Sequence, residues 1–239
     1  MGEFFDAEDG GSLRLELLSV DGRDFSLLRR IGYRSKRYDE PFVVPADLET
    51  FSTDLASVPR VFTWLVPRIG DFLPAAVVHD ALVDEQDYLG PPVDRAEADL
   101  IFREAMIGLG TGKVRAWLMW SAVTCATMWD GRRLVDRLAL ILLVGVVSIL
   151  GGLATLDFLD VWDVLPWMGQ RPWPEELAGG AFFALVIPSA LAATWGSQWP
   201  AGVIVGVALA FLLHVTVVLL ALYLVYLGLE RLVSGRRVR

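Results

Sequence analysis

Cysteine is almost absent from this chain of 239 residues; Cys125 stands alone. A single thiol excludes an internal disulfide and a zinc site built on cysteines. Histidine is nearly as scarce, with only His79 and His214. Zinc bound in the first half would therefore have to rely on Asp and Glu. There is no basic excess either: 21 Lys and Arg face 29 Asp and Glu, a net charge of −8. Nucleic-acid binding needs concentrated cationic charge to displace counterions, so that class is excluded. The opening residues, Met-Gly-Glu-Phe-Phe-Asp-Ala-Glu-Asp-Gly, lack the basic-then-apolar order of a signal peptide. Any export is expected to use a later segment.

The scarcest feature of the second half is charge itself. Up to Arg137 there are 16 basic and 23 acidic residues; the 102 residues beyond hold 5 and 6. Leu138–Leu156, Leu177–Trp195 and Ala201–Leu229 are long apolar runs without a charged residue. A bilayer core needs about 20 apolar residues per helix, so three transmembrane helices are expected. The chain then divides into a flexible stretch at 1–11, a polar domain at 12–137 and a membrane anchor at 138–239.

The polar domain reads as α+β: a small β element followed by a bundle of about three helices. Leu13, Leu15 and Leu17 alternate, which predicts a strand over 12–18. Asp21-Gly22 is a turn signal, and 25–33 is expected to return as its partner. Prolines confine 41–45 to a sheet edge. Ser57 ahead of Pro59 predicts a short helix over 61–66. Asp71–Tyr88 reads as a helix ended by Gly90-Pro91-Pro92. Asp94 with Glu97 three residues on is a capping box for the next helix. Ala98, Ile101, Phe102, Ala105 and Met106 give that helix an apolar face. Val114–Met128 is a third helix, with Trp117 and Trp120 suited to a membrane surface.

Charge next to the spans gives two orientation signals. Arg132, Arg133 and Arg137 predict a cytoplasmic N-terminal domain, in the bacterial inner membrane. Arg231, Arg236, Arg237 and Arg239 favour the cytoplasm for the other end as well, which three crossings do not allow.

The chemistry gathers at His79-Asp80 and Asp99. A histidine near neutrality takes a proton from water, and a carboxylate fixes its tautomer. Neighbours on a helix point about 100° apart, so Asp80 does not pair with His79 and is free to hold a hard cation. Asp99 shares a helix face with Phe102 and Met106 and is placed to orient His79. Thr53, Asp54, Ser57 and Arg60 are the expected completion of the site; the same residues also suit plain turn and cap chemistry. His214 is polar within an apolar span and a functional candidate by its position, but with no second ionisable group in that span a packing role against a neighbouring helix is the preferred reading.

His-Asp on one helix with Ala-Asp-x-x-Phe on the next resembles the phospholipase A2 superfamily, most closely its disulfide-free parvoviral form. That resemblance implies a water-activating base at His79, a calcium ligand at Asp80 and an orienting carboxylate at Asp99. A longer resemblance covers roughly residues 25–125. Val-Pro-x7-Thr-Asp-Leu-Ala-Ser-Val-Pro-Arg, then Ala-Ala-Val-Val-His-Asp, then Arg-Ala-Glu-Ala-Asp-x-x-Phe-x-x-Ala-Met is similar to a phage-associated domain family of unknown function.

The expectation is thus a membrane-anchored hydrolase of phage type, calcium-dependent, with membrane lipid as its partner and substrate. The competing reading is a non-enzymatic phage module for lysis, holin-like action or superinfection exclusion. A peptidoglycan hydrolase using another metal ranks third. The sequence specifies no oligomeric state.

Overall fold

The structure is a computed structural model that describes residues 2–19, 24–54, 70–85, 87–131 and 133–234. Asp21-Gly22, Ser57, Arg60, the helix expected at 61–66 and the arginines at 236, 237 and 239 lie outside those residues. The chain forms two compact units, Met1–Thr127 and Met128–Arg239.

The first unit is α+β. Five short strands, β1 (Glu3–Asp6), β2 (Leu17–Ser19), β3 (Phe25–Leu27), β4 (Ile31–Arg34) and β5 (Phe42–Val44), make two antiparallel sheets. One has the order β1-β4-β5 and the other pairs β2 with β3. The opening residues are thus not loose: β1 pairs with β4 from Glu3 opposite Arg34 to Asp6 opposite Ile31. What holds this strand is a buried ion pair. Arg29 donates to the fully buried Asp6 carboxylate, whose other oxygen accepts from the Glu8 N–H at 2.9 Å. The Arg29 guanidinium keeps the Asp6 carboxyl below its usual range. Composition alone marks residues 1–11 as solvated; the partner that orders them is 23 residues away.

The strand expected over 25–33 divides into β3 and β4, which belong to different sheets. The arginines between them cause the break. Arg29 turns to Asp6, and Arg30 donates to the carbonyls of Pro45 and Ala46 at 3.2 and 2.9 Å. Of the expected 12–18 strand, Leu17 and Leu18 pair within β2 and Ser12 forms an isolated bridge to Phe5. β5 is the last strand of its sheet, and on its outer side Val43 exchanges both backbone hydrogen bonds with Leu89 at 2.8 and 2.9 Å, a bridge confined to the residues between the two prolines.

Three helices follow this β layer: α1 (Leu73–Asp80), α2 (Arg95–Gly108) and α3 (Lys113–Asp130). α1 carries Pro74 in its first turn and runs into a π-helical turn, Ala81–Glu85. α2 starts where the capping box predicts, with Asp94 accepting from the Glu97 N–H at 2.8 Å. Ala75, Ala76, Ala98 and Ala105 are buried, and such small side chains let α1 and α2 approach closely. Tyr33, Phe42, Phe51, Phe72, Ile101 and Met106 fill the core around them. Trp117 and Trp120 on α3 both pack on the Arg103 guanidinium of α2, at 4.0 and 4.5 Å to the ring centroids. The tryptophans expected at a membrane surface therefore serve helix packing within this unit.

The second unit is helical: α4 (Leu134–Phe158), α5 (Trp173–Ala192), a 3-10 segment (Ala193–Gln198) and α6 (Trp199–Ser234). Two helical stretches are long and apolar enough to cross a membrane, 134–158 and 173–233. The runs expected as separate spans at 177–195 and 201–229 both fall within the second stretch. Gly196, at φ 57 and ψ −125, breaks it, and α5 packs along α6 with α4 against both. Glycines make the close contacts. A Cβ on Gly206 would lie 2.6 Å from Pro188, and one on Gly151 would lie 2.9 Å from Leu213. Large apolar side chains such as Ile149, Phe182, Val218 and Leu222 face outward.

Candidate functional site

α1 is short, apolar and buried through Val78, and it delivers His79 and Asp80 at its last turn. The π turn follows at once, a local widening often found beside functional side chains. The two neighbours diverge as helix geometry requires. His79 faces α2, where its Nε2 lies 2.8 Å from Asp99 Oδ1. Asp80 faces the β layer, where its Oδ2 accepts from the Thr53 hydroxyl. Thr53 is itself fixed, exchanging both backbone hydrogen bonds with Phe25 of β3 at 2.8 and 2.9 Å. His79 Nδ1 and Asp80 Oδ1 stand 4.0 Å apart, too far for a hydrogen bond.

Asp99 is 1% exposed, on the inner face of the first turns of α2. Its second oxygen accepts from the Thr127 hydroxyl on α3 at 2.8 Å. One turn on, Phe102 lays its ring on the His79 imidazole, with centroids 4.8 Å apart. Three helices thus contribute to one chain of polar contacts, Thr127 to Asp99 to His79. An ionised carboxylate has no proton to give, so with Asp99 ionised the shared proton belongs to His79 Nε2. That leaves Nδ1 as the basic nitrogen, on the side where Asp80 lies.

Cys125 lies on the same stretch of α3. Burial pushes its thiol up to about 12, and the nearby Asp99 charge adds to the shift. A thiol with a raised pKa stays protonated at neutral pH and is a poor nucleophile. Cys125 is therefore expected to resist iodoacetamide in the folded protein at pH 8 and to label readily after denaturation, a difference mass spectrometry reads directly.

The structure brings together His79, Asp99, Asp80 and Thr53. Asp54 is exposed beside Thr53. Ser57 and Arg60 fall outside the described residues. Thr127 and Phe102 belong to the site although the sequence did not assign them to it. Phe102 was accessible through its i+3 spacing from Asp99; Thr127 required the register of α3 on α2. Among the described residues no three His, Cys, Asp or Glu side chains gather into a metal centre. Asp80, with one oxygen already accepting from Thr53, does not by itself make a calcium site, which takes six to eight oxygens.

In the second unit, His214 of α6 contacts the Thr155 hydroxyl of α4, so its ring links two helices. A polar group in an apolar helix needs such a partner.

No curated protein matches the chain, and no solved structure matches it. Residues 25–123 match a family described as a protein of unknown function (DUF1353), a stretch that contains Thr53, His79, Asp80, Asp99 and Phe102 and stops four residues short of Thr127.

Proposed function

We propose that the chain is a membrane-anchored hydrolase of phage type that cleaves ester bonds in membrane lipid, with His79 as its base. The observation that carries this reading is the contact of His79 Nε2 with a buried carboxylate whose other oxygen is held by Thr127. That arrangement fixes one tautomer and supports the imidazolium once it forms. In the step inferred, Nδ1 takes a proton from water, and the water oxygen attacks the ester carbonyl. The tetrahedral intermediate collapses with cleavage of the C–O bond. The proton on Nδ1 passes to the leaving alkoxide, so fatty acid and lysolipid are the products.

Asp80 is the residue that calcium would use, and this part of the proposal rests on Asp80 alone. The step above does not depend on it. The membrane reading goes further than the two apolar stretches. α4 and α5 span about 38 and 30 Å and α6 about 54 Å, each sufficient for a hydrocarbon core of about 30 Å. We read the break at Gly196 as dividing the second stretch into two crossings, three in all with α4, and Arg133 and Arg137 favour a cytoplasmic first unit in a bacterial inner membrane. The alternative is a non-enzymatic phage module for lysis or superinfection exclusion, in which the histidine pair only joins helices. Its supporting observation is how deeply Asp99 is buried.

The test is fatty-acid release from phosphatidylglycerol and phosphatidylethanolamine vesicles by the full-length protein, with calcium and with a chelator. Release that stops with chelator and in Asp80→Asn supports the whole reading. Release that ignores calcium removes the metal and keeps the base. No release from either lipid favours the non-enzymatic module.

A further inference from the structure

The membrane unit contains a cavity of about 330 Å³ between α4, α5, α6 and the loop that joins α4 to α5. Its walls are mostly apolar, formed by residues such as Val147, Ala184, Ile187 and Phe211. Glu176 lines one end, in the first turn of α5, and Pro188 lies twelve residues further along the same helix, about 18 Å away. The lining runs from Glu176 to Pro188 along α5 and from Val147 to Phe158 along α4, an elongated apolar space that suits one extended chain. Cavities of this size, apolar with a few placed polar groups, are typical of ligand sites between helices of a bundle.

The end of the cavity beside Glu176 is formed by an ordered loop. Asp157 is fully buried and accepts from the backbone N–H groups of Val164, Leu165 and Gly169 at 3.0, 2.8 and 2.9 Å. This holds the loop over the helix ends. Trp167 then stacks on Phe183 with centroids 4.4 Å apart, and its carbonyl lies where a Cβ on Gly179 would be. Glu176 sits beneath this cap, 5% exposed. Its carboxylate accepts from the Arg171 N–H at 3.3 Å, while the Arg171 guanidinium donates instead to the carbonyls of Pro166 and Met168. Among the described residues no cationic side chain pairs with Glu176. A carboxylate taken out of water at the head of an apolar channel is complementary to a cationic group. The polar pair at the inner wall, Thr155 and His214, already satisfies itself.

We propose that this cavity binds a single-chain amphiphile with a cationic amine head. Its head pairs with Glu176 and its chain runs between α4, α5 and α6 towards His214. This assignment is independent of the chemistry at His79.

The test uses the full chain in nanodiscs and three probes with the same brominated long chain: an alkylamine, an alcohol and a carboxylate. Bromine quenches tryptophan at short range, and the component lost in Trp167→Phe reports the cavity. The amine is expected to saturate that component at a concentration at least tenfold below the alcohol, with the carboxylate weakest. Glu176→Gln is expected to erase the preference for the amine while chain binding persists. Gly180→Leu is expected to remove the component for all three probes, since a side chain there points past Met168 into the cavity. Absence of a Trp167 component, or no preference for the amine, or a preference that survives Glu176→Gln, overturns the proposal. So does undiminished binding in Gly180→Leu with an unchanged melting profile; if that variant misfolds, Glu176→Gln decides alone.

Discussion

Asp99→Asn is expected to lower lipid hydrolysis by the intact protein on the order of 10³–10⁴-fold while leaving the fold in place. The carboxylate accepts from two donors, His79 Nε2–H and the Thr127 hydroxyl, at 2.8 Å each. An asparagine of the same shape can accept one of them and must present its NH₂ to the other. If the amide nitrogen faces His79, Nε2 becomes the acceptor and the ring proton moves to Nδ1. The nitrogen needed as base is then occupied. Asp99→Ala is a harsher change. It leaves two buried donors unpaired, at about 1–3 kcal/mol each, so the loss of rate arrives with a loss of stability. Thr127→Val removes one donor and is expected to lower the rate less than Asp99→Asn. Rates of fatty-acid release, measured beside thermal melts of each variant, separate the two effects. Equal rates for Asp99→Asn and the unsubstituted protein would make the carboxylate structural only.

The second large effect belongs to the second unit. Asp157→Ala is expected to destabilise the α4–α5 connection by roughly 3–5 kcal/mol, because three backbone N–H groups lose their acceptor at once. One of those bonds, to Leu165, is buried outright, and the loop it holds includes the residues that cap the cavity. Asp157→Asn keeps one acceptor oxygen and is expected to lose less. Thermal unfolding in detergent, with limited proteolysis at 159–172, measures both. Little change in either variant would mean that water replaces the carboxylate at this position.

How much of this was legible in the sequence depended on whether the cause was local. The start of α2 was, because Asp94 and Glu97 form their cap within one turn. That β5 ends its sheet was, because the flanking prolines limit its pairing to the residues between them. The polar–apolar division was, because it is compositional. The order at residues 2–11 was not, since Asp6 is held by Arg29 from another part of the chain. The division of 25–33 into two strands was hidden for the same reason. At the site, the spacing of His79, Asp80, Asp99 and Phe102 on two helices was readable from periodicity. Thr127 was not, because its contact depends on how α3 lies on α2. The separation of α5 from α6 was legible in the gap between the apolar runs at 177–195 and 201–229; that Gly196 makes the break was not, because hydropathy carries no information on a single glycine of positive φ.

The central claim is that His79 is a base. The most direct measurement is fatty-acid release from phospholipid vesicles by the full-length protein and by His79→Ala at equal concentration, with the melting profile recorded for both. Release by the unsubstituted protein is expected, with a loss on the order of 10³-fold or more in the variant and folding retained. Hydrolysis at the same rate in both, or no hydrolysis in either, would contradict it.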